Sequence, residues 1–222
     1  MKKLICFAAI VLLLVGLYFY VFRPVPAPSE SINAASTPIA NATASSTVYH
    51  ISQTGSSASF KISEVLSGAP FTPVGTTNQI AGDIAVAQSS SSAPSLDIGT
   101  ITIDARTFHT DSKSRDGAIG RFILKSDQAG NEFITFMPTA ISAPVQNQGG
   151  TWSAVSTGNL TISGVTKPET FALDFSIANG TLTGTASSTL SRADFNLSIP
   201  NIPFVADVSN TFSISADITA MP

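Results

Sequence analysis

Thr211-Phe212-Ser213-Ile214-Ser215-Ala216-Asp217-Ile218-Thr219 carries Phe212, Ile214, Ala216 and Ile218 at every second position, with Ser213, Ser215 and Asp217 between them. A period of two sorts side chains onto opposite faces of a pleated strand, so this stretch reads as a strand with one buried and one solvated face. Residues 171–177 repeat it, with Phe171, Leu173, Phe175 and Ile177 facing one way and Ala172, Asp174 and Ser176 the other. Similar runs occupy 57–65, 79–87, 95–105, 132–141, 151–163, 181–190 and 194–199. Half-buried strands of this kind belong to antiparallel sheets, and the chain is predicted to be all-β.

Local signals refine that reading. Within 95–105 the apolar parity switches, Leu96 and Ile98 being even and Ile101 and Ile103 odd, with Gly99 between them, which predicts a bulge. Asn179-Gly180 marks a two-residue hairpin turn. In 114–125, Ala118 with Phe122 and Ile119 with Ile123 stand at i,i+4 spacing, so a short helix is expected there. Strands in this number must hide their edges, either by closing into a barrel or by pairing two sheets in a sandwich, and periodicity alone does not separate the two.

Composition narrows the function classes. Charged residues are 11% of the 222, against a usual ~25%, and the net charge is −3. With no clustered Lys or Arg to neutralise phosphates, no nucleic-acid partner is expected. The single cysteine, Cys6, leaves the rest of the chain without a disulfide framework or a Cys-based site.

Residues 4–22 are uncharged and follow Lys2 and Lys3. As a helix this run reaches about 28 Å, near the ~30 Å thickness of a bilayer's hydrocarbon core. It is longer than the roughly 7–15 apolar residues of a cleavable signal peptide, and the nearest small-x-small site ends at Ala27 with Pro28 directly after it. Residues 1–23 are therefore expected to form an uncleaved transmembrane anchor. The positive flank at Lys2 and Lys3 leaves the C-terminal bulk outside the cytoplasm, in a periplasm or at a cell surface. Residues 24–47, rich in Pro, Ala, Ser and Thr, read as a disordered linker, and residues 48–222 as the folded domain.

Four stretches carry a family resemblance. Gly158-Asn159-Leu160-Thr161-Ile162-Ser163-Gly164-Val165-Thr166-Lys167-Pro168 is similar to the Gly-x-Leu-Thr-x-x-Gly-Val-Thr-Lys-Pro signature of the YceI-like family. Thr110 with Arg115-Asp116, Arg192-Ala193-Asp194-Phe195, and Tyr49-His50-Ile51 leading to Ser59-Phe60-Lys61-Ile62 resemble three more of its motifs. The chain departs from the family after Asp116, where residues 121–132 lack its usual Phe-Phe-Asp and Tyr-Pro, and at Asn196, where glycine is common. The resemblance implies an exported, antiparallel lipocalin-like β-barrel of about eight strands with one short helix, a fold of the size that holds one slender ligand. It also implies that the ligand is a polyisoprenoid lipid.

Residues expected to face the barrel interior are Phe60, Ile62, Ile84, Ile101, Phe136, Trp152, Phe171, Phe175, Phe195, Phe212 and Ile214, an uncharged, aromatic-rich set. Either they line a lipid cavity or they fill the barrel as an ordinary core; the resemblance favours the first. At about 0.8 kcal/mol per buried methylene, one five-carbon isoprene unit gains on the order of 3–4 kcal/mol before the costs of binding. Arg115 is a candidate for a polar head group, or else belongs to an ion pair behind a helix cap supplied by Asp111, Ser112 or Ser114. The glycines of 158–168 are expected to turn the chain between two strands, with Lys167-Pro168 ending the turn. No catalytic, metal or cofactor site is expected: His50 and His109 stand in no nucleophile or ligand motif, and Asp104, His109, Asp111 and Asp116 read as a solvated loop. The competing class is a surface binding module or adhesin with a filled barrel, which would display several exposed Trp or Tyr, yet beyond residue 23 only Trp152 and Tyr49 remain.

Overall fold

The computed structural model describes residues 31–35, 39, 46–87, 93–147 and 150–222. The expected anchor lies outside these residues, and among them no helix is long and apolar enough to cross a membrane. Within the expected linker, Ile32–Ala35 forms one helical turn, α1, which packs on the folded domain with Ile32 buried.

In chain order the strands are β1 (Thr47–Ile51), β2 (Ser57–Ile62), β3 (Glu64–Leu66), β4 (Ala69–Phe71), β5 (Val74–Thr77), β6 (Ile80–Ala81), β7 (Asp83–Ala87) and β8 (Ser95–Ile98). There follow β9 (Ile101–Asp104), β10 (Phe133–Ile141), β11 (Val145–Gln146), β12 (Trp152–Ile162), β13 (Val165–Ala178), β14 (Thr181–Ser191), β15 (Val205–Ala206) and β16 (Thr211–Met221). Thirteen make one antiparallel sheet, while β15, β3 and β4 make a small second one. Short strands of the large sheet follow one another along shared partners, giving eight runs: β1–β2, β5–β7, β8–β9, β10–β11, β12, β13, β14 and β16. The last returns to the first, residues 212–217 of β16 pairing with β2, and Ala220 and Met221 with Ile51 and His50 of β1. The sheet is therefore curled and barrel-like, and its strands find partners without a second facing sheet.

The bulge stands where the parity switch predicts it. Ile84 faces Ile98 and Ala81 faces Thr102, so two residues on one strand oppose three on the other, Gly99 among them. Gly82, across from it, has φ +153°, and a Cβ there would fall 2.6 Å from Ile101 Cδ1. Asn179 and Gly180 both take positive φ, 51° and 75°, in the turn between β13 and β14. Ser163 and Gly164 do the same between β12 and β13, at 50° and 74°.

Three expectations need correction. Of the glycines in the 158–168 motif only Gly164 makes a turn, beside Ser163: Gly158 lies within β12, where a Cβ would collide with Met137 O at 2.4 Å, and its closeness to β10 is what the position requires. Lys167-Pro168 lies inside β13, on the stretch that pairs β12 but not β14, an edge where proline's missing N–H costs no ladder bond. Residues 194–199 are not a strand. Ala193–Phe195 is a 3-10 turn closed by Asn196 in the left-handed conformation, φ 53°, after which Leu197 N–H bonds back to Arg192 O at 3.0 Å. That backbone explains why glycine suits position 196, and asparagine is the side chain that best tolerates the same geometry.

The up-and-down order places the long connections at one end of the barrel. The small sheet after β2, the 105–132 segment with helix α2 (Lys113–Ala118), and the segment between β14 and β16 all gather there. The expected short helix is present as α2, which continues into a wider turn, Ile119–Ile123, where Leu124 N–H bonds Ile119 O and the i,i+4 pairs fall. A core cluster around Phe195, Leu190, Leu160 and Leu197 lies in this half, and one around Tyr49, Ile84, Val86 and Leu182 in the other.

Candidate functional site: an apolar cavity

Between the two clusters the sheet encloses a cavity of about 460 Å³, within the range of small-molecule sites. Nine expected interior residues line it: Phe60, Ile62, Ile84, Ile101, Phe136, Phe171, Phe175, Phe212 and Ile214. Several, including Phe60, Ile62, Phe212 and Ile214, are only half-buried although they point inward, as befits a wall beside empty space. The interior is hollow, not a filled core.

Room is made by small residues beside large ones. Phe60 stands opposite Gly75 on β5, and Phe175 opposite Gly184 on β14. A Cβ on Gly184 would lie 2.9 Å from Phe175 Cβ. Ala58, Ala186 and Ala216 also line the wall. Aromatic edges meet, with Phe136 and Phe171 at 4.6 Å between centroids and Phe60 and Phe108 at 5.5 Å. Polar groups are few: Ser59 Oγ and Ser215 Oγ satisfy each other at 2.9 Å, while Ser156 Oγ is buried without a hydrogen-bond partner.

Two predicted residues are placed elsewhere. Phe195 is 0% exposed in the core cluster beneath the cavity, held by the 3-10 turn that replaces the expected strand. Trp152 opens β12 at the opposite end, paired with Gln146 and Phe175, and does not line the cavity. Strand parity gave both the inward side, but Phe195 stands in a 3-10 turn and Trp152 is left out of the lining although its ladder partner Phe175 is in it. Parity also missed Phe108, Ile199, Ile202 and Pro203, which reach the cavity from irregular segments, and Val205 of β15, a strand of two residues that is too short to show a period.

Arg115 lines the cavity beside the exposed Ser114, and its guanidinium is engaged. Nη1 donates to Asp111, Nη2 lies 3.8 Å from Glu64 Oε1, and the group stands 5.1 Å over the Phe71 ring. Arg115 thus ties α2 to the small sheet. Ser112 caps the helix, accepting from Arg115 N–H at 3.5 Å. Asp116 accepts from Thr110 N–H at 2.7 Å and Thr110 Oγ1–H at 2.6 Å, so this motif braces a loop. The Arg192 motif does likewise: Nε, Nη1 and Nη2 donate to the carbonyls of Ser209, Leu197 and Val208 at 2.7, 3.0 and 3.2 Å. Asp104 is bonded to Arg106 at 2.5 Å, and His50 Nδ1 lies 2.7 Å from Asp83 Oδ1. Among the described residues no three His, Cys, Asp or Glu side chains gather as metal ligands do.

Comparison with known proteins agrees with this architecture. The family model described as "YceI-like domain" matches residues 49–220. The structure of BcnA from Burkholderia cenocepacia is similar at a TM-score of 0.56 and 18% identity, covering 77% of this chain and 99% of BcnA. A polyisoprenoid binding domain from Saccharophagus degradans, implicated in plant cell wall breakdown, aligns at 0.55 and 14% identity, covering 78% and 97%. The Campylobacter jejuni YCEI protein aligns at 0.53 and 17%, covering 67% and 84%. At these identities the structural likeness speaks for the fold. No curated protein is significantly similar in sequence.

Proposed function

Since the chain belongs to the YceI-like domain family, matched over residues 49–220, we propose that it is a non-catalytic protein that holds a polyisoprenoid or similar long apolar lipid in its cavity. In this reading residues 4–22 tether it to a membrane, with the domain outside the cytoplasm, in a periplasm or at a cell surface. The observation that carries the reading is the hollow of about 460 Å³ walled by Phe, Ile and Leu side chains. Such a wall offers a hydrocarbon chain the transfer free energy of leaving water and offers a charged or sugar-like ligand few partners. The polyisoprenoid binding domain of Saccharophagus degradans, with the same fold, supports the choice of lipid. The tether suits a local reservoir or handover role better than transport across a wide compartment.

The test is to move the purified full chain into nanodiscs of synthetic phosphatidylcholine, extract with organic solvent, and identify co-purified lipid by mass spectrometry. An isoprenoid lipid near one per chain, or saturable uptake of an isoprenoid quinone, is expected. An empty extract together with no saturable uptake overturns the reading. Protease added to intact spheroplasts should remove residues 48–222 if the domain lies outside the cytoplasm.

A further inference from the structure

The end of the barrel that carries α2 and the small sheet also displays two exposed aromatic rings. Phe204 is 78% exposed, and its backbone sits at φ +68°, a region that bulky side chains rarely occupy. Its carbonyl accepts from Ser67 N–H at 2.7 Å, which fixes the conformation. Glycine or asparagine would meet the backbone requirement with less strain, and a ring that contacts so little gives the fold nothing in return. Its immediate neighbours Pro203 and Val205 line the cavity, so the ring projects from the cavity's own rim. Phe122, 39% exposed, extends from the turn after α2, whose Ala118, Ile119 and Ile123 line the same cavity. Phe122 and Ala118 share a shallow groove with residues 200–203, the segment that leads to Phe204.

Helix α1, in the described part of the chain before β1, lies towards this end. β1 begins at the far end of the barrel, yet α1 packs against β6 and β9, outside the paired Ala81 and Thr102, which point away from the cavity and are nonetheless buried. Thr102 stands two residues before β9 runs out at the α2 end. Residues 23–31, between the apolar run and Ile32, span at most about 30 Å. Exposed charges nearby are mixed, Lys113 and Lys125 against Asp111 and Asp207, so attraction to this face is apolar and not electrostatic.

From these relations we infer that the rim formed by Phe204 and Phe122 docks on the surface of a phospholipid bilayer, so that an apolar ligand passes between membrane and cavity without crossing water. The inference rests on the lipid-binding reading for its purpose, but its test does not. Trp152 is the sole tryptophan and lies at the other end of the barrel. The full chain is reconstituted in vesicles of plain or brominated phosphatidylcholine, as the parent and as F204W and F122W, and tryptophan emission is compared. Both variants should be quenched by brominated lipid while the parent is not. F204N, which suits the left-handed backbone, should melt no lower than the parent yet exchange isoprenoid quinone between vesicles about tenfold more slowly. Unquenched emission from both variants overturns the inference, as does a blue shift without quenching, which would indicate contact with a second protein copy. Quenching without any quinone uptake would leave docking intact and remove the lipid cargo; uptake with unquenched variants would do the reverse.

Discussion

Gly75 lies beneath the ring of Phe60: a Cβ at position 75 would fall 2.1 Å from Phe60 Cε1. The pair fixes a cavity-lining aromatic against the wall, because the absent side chain on β5 is the space the ring occupies. Gly75→Ala should push the Phe60 ring into the hollow and against Phe108, costing about 1–3 kcal/mol of stability and reducing lipid uptake. Chemical denaturation and quinone titration measure the two effects. Adding Phe60→Leu should recover most of the stability; a single variant as stable as the parent would contradict the packing described.

Ala186 tests the hollow from the opposite wall. It faces inward on β14 beside Leu173 and Ala216, and lines the cavity. Ala186→Phe places a ring in empty space, so its cost should stay below the ~1–3 kcal/mol typical of overpacking. Lipid stoichiometry, read by mass spectrometry of the extract, should fall sharply while the melting temperature barely moves. Unchanged stoichiometry would place the ligand elsewhere.

Arg192 is a positioning residue for the loop between β14 and β16. Its three carbonyl acceptors are matched by a planar fork of donors that an ammonium group does not reproduce. Arg192→Lys should therefore destabilise by about 2–4 kcal/mol, nearly as much as Arg192→Ala, as read from urea midpoints. A lysine variant equal to the parent would show that charge alone, not the fork, holds the loop.

Glu169 supplies a pH signature. Its carboxyl is raised above the usual range, first by burial and then by the negative charge of Asp194. A carboxyl raised in the folded state stabilises the fold while it is protonated, below the unfolded-state value. That contribution is lost as pH rises through the folded-state value. At neutral pH the charged group is thus a small liability, discounted by its contact with solvent. Glu169→Gln should raise the melting temperature by no more than a few degrees at pH 7 and leave it unchanged in acid below the ordinary carboxylate range. A gain that persisted in acid would assign the effect to something other than charge.

What the sequence made legible follows from where a period exists. Alternation located the strands that carry Phe60, Phe171, Phe175, Phe212 and Ile214, and the parity switch at Gly99 located the bulge, because both are printed in successive residues. Asn179-Gly180 was readable for the same local reason. Phe195 was misread because Asp194-Phe195-Asn196-Leu197 mimics alternation while Arg192 draws Leu197 back into a turn, a bond formed outside any strand. Trp152 has strand parity but is left out of the lining although its ladder partner Phe175 is in it, and alternation does not distinguish the two. The exposed Phe204 gave no signal, since its strain lies in a torsion angle and not in the letters around it.

The pairing of β16 with β1 and β2 sets a schedule for the molecule. Ile214 stands across from Phe60, partners separated by most of the domain's length, and no local contact substitutes for that meeting. During synthesis the growing chain carries an open sheet with two unpaired borders until its final eleven-residue strand arrives. The slow step of folding is then the late joining of first and last strands, as expected when contacts are remote in sequence. A chain interrupted before β16 would possess most of the cavity's lining and no cavity.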